Sequence, residues 1–208
     1  MGLNKIRYTK SFRAFMSGFW KDNAICSQML GLCSALAVTN KVENAIAMGA
    51  GVVFVLIVSS FSISLMRGLI PARYRIIVYM ITIATFVIIV DQYFKAYFPS
   101  ISKALGPYLA LIITNCILMG RAEAYAMKNN PWHSICDALG SGLGYAYSLI
   151  IIASFREVLA FGTFLNFKVT PAGWENLVVM AMAPGAFFLF AIYLWVFRTF
   201  SKLKPLES

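Results

Sequence analysis

The sequence predicts an all-α integral membrane protein with six transmembrane helices in two inverted three-helix repeats, the first and fourth spans being broken half-helices. Three observations carry that expectation. Hydrophobic residues make up 60% of the 208 positions, charged residues only 12%, and the mean hydropathy is +0.75. Soluble domains carry about a quarter charged residues. The apolar runs come in two kinds, long and short, and their order is short, long, long, then short, long, long. An odd number of crossings per unit forces the two halves into opposite orientations.

The N-terminal segment, 1–22, reads "MGLNKIRYTKSFRAFMSGFWKD". Phe12, Phe15, Met16, Phe19 and Trp20 recur at helical spacing among bases, which suits an amphipathic helix lying on the membrane surface rather than a secretory leader. A solvated basic tail is the plainer alternative. Residues 23–208 then form a single six-span membrane domain, with no room for a separate soluble one.

Four runs, at 45–66, 76–98, 139–155 with its continuation, and 177–197, approach the roughly 20 apolar residues that cross about 30 Å of hydrocarbon. Two more, at 24–38 and 104–120, are shorter and interrupted. The first holds Ser27, Gln28, Gly31 and Ser34; the second holds Gly106, Pro107 and Asn115. Such breaks are tolerated at membrane depth only where the freed backbone faces protein or a cavity.

The formal charge is +10, but the bases flank apolar runs, where they set orientation and meet anionic headgroups, so nucleic-acid binding is excluded. Of the 18 Lys and Arg residues, 13 fall on one set of alternating loops with both termini and 5 on the other. The positive-inside bias therefore predicts both termini in the cytoplasm.

Four cysteines, Cys26, Cys33, Cys116 and Cys136, lack the close pairing of a zinc site. Cys33 and Cys116 occupy matching places in the two broken segments, more than two helical turns in and so near mid-membrane depth. A buried thiol is usually an inert small hydrophobe. Two at matched breaks instead suggest soft ligands for iron, whose clusters generally take four thiolates. Two ligands from this chain then imply two from elsewhere, unless Cys26, seven residues before Cys33, joins them. Cys136 follows a polar loop and belongs near the surface.

Intramembrane acids are functional candidates by default. Asp91, in "VIIVDQYFKAYF", is a candidate for a cation path, with Lys95 at i+4 as a competing structural partner. Asp137, in "SICDALGSGLG", is the second candidate, and its plainer role is to cap the N-terminus of the fifth span. Arg121 with Glu123, and Arg156 with Glu157, read as local charge pairs at span boundaries. "GSGLG", with Gly140 and Gly144 at small-xxx-small spacing, suits close helix packing better than a phosphate loop, since no strand precedes it. His133, the single histidine, stands beside Trp132 at an expected interface.

The segments "LGLCSALAVT", "VDQYFKAY", "LIITNCILMGRAEAYAM", "DALGSGLGYAYSLIIIASFRE" and "APGAFFLFAIYLWVFRTF" resemble the D-type subunits of the bacterial Na+-translocating NADH:quinone oxidoreductases. The resemblance covers about 23–200, and its family also includes the E-type subunit of the Rnf electron-transport complex, the alternative assignment. It implies a membrane subunit of a redox-driven Na+ pump, in the bacterial inner membrane, within a translocase that oxidises NADH and reduces ubiquinone. It further implies a pseudo-symmetric partner, the E-type subunit of the same pump, and an iron centre, best described as a [2Fe-2S] cluster, shared with it at mid-membrane. On that resemblance Cys33 and Cys116 are this chain's two ligands, and the chain binds neither flavin nor NADH. The rival from another class is a non-redox transporter, because inverted repeats with broken helices are also a transporter design.

Overall fold

The computed structural model describes residues 15–16, 18–19, 25, 27–97, 106, 110–164, 167–168 and 182–201. Most of the 1–22 segment, Cys26, and the start of the 177–197 run lie outside the described residues. Among the described residues the bounded α-helices follow in the order α1 (Leu32–Val38), α2 (Val42–Met66), α3 (Arg75–Tyr97), α4 (Cys116–Arg121), α5 (Pro131–Phe161) and α6 (Ala183–Ser201). A 3-10 turn (Ala72–Tyr74) leads into α3, and a π-helical turn (Ala122–Ala126) continues α4. The described residues also include a two-stranded antiparallel hairpin, β1 (Thr163–Phe164) with β2 (Phe167–Lys168).

Three helices, α2, α3 and α5, are long and apolar enough to cross a membrane, and α6 carries the shorter apolar stretch Pro184–Thr199. At 1.5 Å per residue, α2 and α3 reach roughly 35 Å and α5 roughly 46 Å. The fifth run thus begins well before the expected 139. Pro131 sets that start: its missing N–H costs nothing in the first helical turn, and Asn130 ahead of it is extended.

Helices α2 and α5 form the antiparallel centre of the fold. The Val42 end of α2 meets Glu157, Gly49 faces Ala146, Val53 faces Gly142, and Ser64 donates to the Asn129 carbonyl ahead of α5. Their axes come close because small residues line the seam. A methyl group placed on Gly142 would stand 3.2 Å from Val53 Cγ2, and one on Gly49 would stand 3.1 Å from the Ala146 methyl. The small-xxx-small pair that seats α2 is Gly142 with Ala146. Gly140 instead admits the backbone of Phe15. Gly18 sits against Ser141 and the Phe19 ring lies 6.2 Å from Tyr147, so the described part of the N-terminal segment packs on α5.

The short helices α1 and α4 begin beside one another at mid-length of α5 and end at opposite ends of it. The C-terminus of α1 is held near Arg156, that of α4 near Asp137. Those two residues are about 28 Å apart along α5, close to the thickness of a hydrocarbon core. Isoleucines of α3 and large side chains of α6, such as Ile81, Ile88, Phe187 and Trp195, point outward as a lipid-facing surface requires.

Candidate metal centre and its supports

Both broken segments turn helical at their cysteines. In the first, the backbone is irregular over 27–31 and enters α1 through Gly31, whose φ of 87° lies in the left-handed region that glycine tolerates. Cys33 is the second residue of α1 and is exposed. In the second, a helical stretch at 110–113 stops at Thr114, and Asn115 restarts the helix as its N-cap, accepting from the Ile117 N–H at 3.3 Å. Cys116 is the first residue of α4 and is half-buried.

The two breaks touch. The Gly31 N–H, at the N-cap of α1 and so outside the helical ladder, donates to Cys116 Sγ at 2.7 Å. The Cys33 and Cys116 thiols lie within hydrogen-bonding reach of each other. Two soft sulfurs, 83 positions apart in sequence, thus converge with a backbone donor aimed at one of them. This donor set suits one edge of an iron–sulfur cluster, whose remaining two thiolates must come from beyond the pair. Among the described residues no group of three or more His, Cys, Asp and Glu side chains meets, so the described chain supplies a pair and not a full set. Gln28, Met29 and Thr114 are exposed around Cys33.

Behind the thiols lies a buried polar knot. Tyr145, at 0% exposure, reaches from α5 to Ser34, and Asn115 Nδ2 lies 3.3 Å from Ser34 Oγ and 3.5 Å from the Tyr145 hydroxyl. The residue after Cys33 and the residue before Cys116 therefore share one tyrosine. Nothing in the sequence marks Tyr145, because Tyr, Ala and Ser in "GYAYS" look like ordinary span residues. The available signal is Ser and Asn directly flanking the two cysteines.

The charged side chains are arranged across the fold rather than along the chain. Asp137 lies within α5, two turns past its start, so it is not the helix cap. Both its oxygens accept from Arg121, Oδ2 from Nε at 3.1 Å and Oδ1 from Nη2, and both side chains are buried. Glu123, the sequence neighbour expected to pair with Arg121, instead accepts from the Tyr79 hydroxyl at 2.7 Å and from Arg75 at 3.1 Å. The Tyr79 hydrogen bond, with Arg75 behind it, holds the Glu123 carboxyl below its ordinary value.

Arg156 and Glu157 also reach across the fold. Arg156 donates to the Leu36 carbonyl at 3.1 Å and to Thr39 Oγ1 at 2.9 Å, closing the C-terminus of α1, and to the Met182 carbonyl at 3.3 Å. Glu157 accepts from the Val42 N–H at 2.7 Å, at the N-terminus of α2. A cation at a helix C-terminus and an anion at a helix N-terminus both complement the backbone dipole. Asp91 pairs with Lys95 at 2.6 Å, while its second oxygen, Oδ1, is buried without a hydrogen-bond partner. Asp91 and Asp137 thus belong to separate ion pairs, on α3 and α5.

The chain is 49% identical over 193 residues to the D-type subunit of the Na(+)-translocating NADH-quinone reductase of Psychromonas ingrahamii, covering 89% of this chain and 92% of that protein. It is 46% identical over 192 residues to the same-named protein of Chlamydia trachomatis serovar L2, covering 88% of this chain and 90% of the relative. The family described as "Rnf-Nqr subunit, membrane protein" matches residues 11–194. With long apolar helices and a family match over residues 11–194, the chain belongs to the Rnf-Nqr family of membrane subunits.

Proposed function

We propose that this chain is the D-type membrane subunit of a Na+-translocating NADH:quinone reductase, a redox-driven pump, and that it carries electrons across the middle of the bilayer. The single observation that carries the proposal is the meeting of Cys33, Cys116 and the Gly31 N–H at two helix breaks. In this reading the chain has six spans in two inverted halves, supported by α1 and α4 starting together and ending at opposite ends of α5. It sits in the bacterial inner membrane with both termini cytoplasmic. Its pseudo-symmetric partner, the E-type subunit, brings two further thiolates to the exposed edge around Cys33.

Cys33 and Cys116 hold two of the four ligand positions of a [2Fe-2S] centre, which when bound supplies one-electron storage at mid-membrane. The chain's own residues do the rest. Gly31 donates to a ligand sulfur, the buried side chains behind the thiols exclude water, and the clamps at Arg121 and Arg156 fix the half-helices. Asp91 is the better cation-path candidate of the two acids, because Asp137 spends both oxygens on Arg121 whereas Asp91 keeps Oδ1 unpartnered. Na+ prefers such hard oxygen ligands.

The test is iron and sulfide analysis of the purified complex. Cys33→Ser and Cys116→Ser should each lower bound iron and stop electron flow to quinone while NADH still reduces the flavin side. Full iron in both variants would end the assignment. Labelling a cysteine introduced at Ser208 with an impermeant reagent checks orientation, and strong labelling from outside intact cells would reverse it.

A further inference from the structure

The knot behind the thiols has a direction. Ser34 Oγ directs its own proton to the Gly31 carbonyl at 2.9 Å, so toward Tyr145 and Asn115 it is an acceptor. The Tyr145 hydroxyl therefore donates to Ser34. The same ring is packed under Gly31, where a Cβ would approach Tyr145 Cε2 to 2.6 Å. Gly31 is thus held on three sides. Its carbonyl receives Ser34 and the Ala35 N–H at 3.0 Å, its Cα rests on the tyrosine ring, and its N–H points at Cys116 Sγ.

We propose that Tyr145 is a positioning residue that aims the Gly31 N–H at Cys116 and thereby sets the electron affinity of the centre held by the two thiols. The inference rests on the preceding reading of Cys33 and Cys116 as ligands. Reduction adds negative charge that spreads onto the ligand sulfurs, and a donor hydrogen bond to sulfur stabilises that charge, so it raises the reduction potential. The N–H and carbonyl of Gly31 lie in adjoining peptide planes hinged at a Cα that bears no side chain, so holding the carbonyl through Ser34 and the Cα against the ring is what directs the N–H. Removing the hydroxyl takes away one of the two donors that hold Ser34, loosens its hold on Gly31 and weakens the bond to sulfur.

Tyr145→Phe in the complete complex tests this, since it keeps the ring beneath Gly31 and removes one oxygen. Redox titration followed by electron paramagnetic resonance should find the centre at least tenfold harder to reduce, 59 mV lower for a one-electron couple, with iron content unchanged. Amide exchange of the peptide carrying Gly31 should rise about tenfold, whether or not iron is bound. Tyr147→Phe, on the outer face of the same helix, should change neither. An unchanged potential with unchanged exchange overturns the proposal. So does loss of iron from a normally assembled Tyr145→Phe complex, because the hydroxyl would then serve binding and not affinity. Should Tyr145→Phe fail to assemble, Ser34→Ala removes the same link from the other side and must lower the potential; a wild-type value there overturns the proposal. Failure of the ligand reading looks different: iron persists in Cys33→Ser and Cys116→Ser, while amide exchange still reports the hold on Gly31.

Discussion

Asp137→Asn should destabilise the complex substantially, and the cost follows from the burial of its partner. The Arg121 and Asp137 side chains are only 8% and 5% exposed, and the guanidinium makes two hydrogen bonds to the carboxylate. Asparagine removes the charge and turns an N–H toward a group that can only donate. Arg121 is then an uncompensated buried cation, a situation that costs about 3–5 kcal/mol. Asn retains one acceptor oxygen, which places the expectation at the lower end, about 3 kcal/mol. Replacing both partners, Arg121→Met with Asp137→Leu, removes the desolvation penalty along with the attraction. That double variant should return to within about 1 kcal/mol of the wild type. Thermal unfolding of the purified complex, with membrane abundance as a second measure, ranks the three. Wild-type stability in Asp137→Asn, or a double variant no better than the single, would refute the buried-pair argument. A shifted Na+ dependence at wild-type stability would return Asp137 to the cation path.

Gly31→Ala should sharply reduce assembly, because its Cβ meets the Tyr145 ring and its φ of 87° strains any L side chain; abundance of the membrane complex measures it. Asp91→Asn should raise the Na+ concentration for half-maximal turnover with little change in stability, since the Lys95 side chain is 57% exposed and the pair is worth under about 1 kcal/mol. Unchanged Na+ dependence removes Asp91 from the path. Glu123 has a lowered folded-state pKa, so its link to Tyr79 and Arg75 is fully present above the ordinary carboxylate range and is lost as pH falls through the lower folded value. Amide exchange in the 122–126 turn should therefore rise only in acid, and Glu123→Gln should abolish that pH dependence.

The sequence discloses whatever depends on solvent preference or on local breakage. Apolar runs around α2, α3 and α5 are legible because lipid demands about 20 consecutive apolar residues. The helix breaks are legible because Gly31 and Asn115 interrupt such runs, and the cysteines stand out beside them. Pairings across the fold are not legible in this way. Arg121 has Glu123 two residues away and Asp137 sixteen away, and only the bend of the π-helical turn and the early start of α5 at Pro131 make the distant acid the nearer one. Arg156 and Glu157 look like neighbours compensating each other, yet adjacent helical residues point in different directions. Each of them serves the end of another helix. Tyr145 carries no local sign of its role at all, since its partners come from two different breaks.

The placement of the thiols level with Tyr145 has an electrical consequence. Tyr145 stands about 12 Å along α5 from Asp137 and about 16 Å from Arg156, so with α5 crossing the bilayer as proposed the sulfurs would lie near the midpoint of the voltage drop. A full crossing by one elementary charge is worth about 2.3 kcal/mol per 100 mV. If Cys33 and Cys116 hold the proposed centre, an electron resting there would have traversed about half of that field, so its occupancy would respond to membrane voltage by about 1.2 kcal/mol per 100 mV. On that reading the protein would sense the gradient it helps to build: as the membrane charges, the electron's level between Cys33 and Cys116 would shift, and throttling of the pump by its own output would need no separate regulatory site.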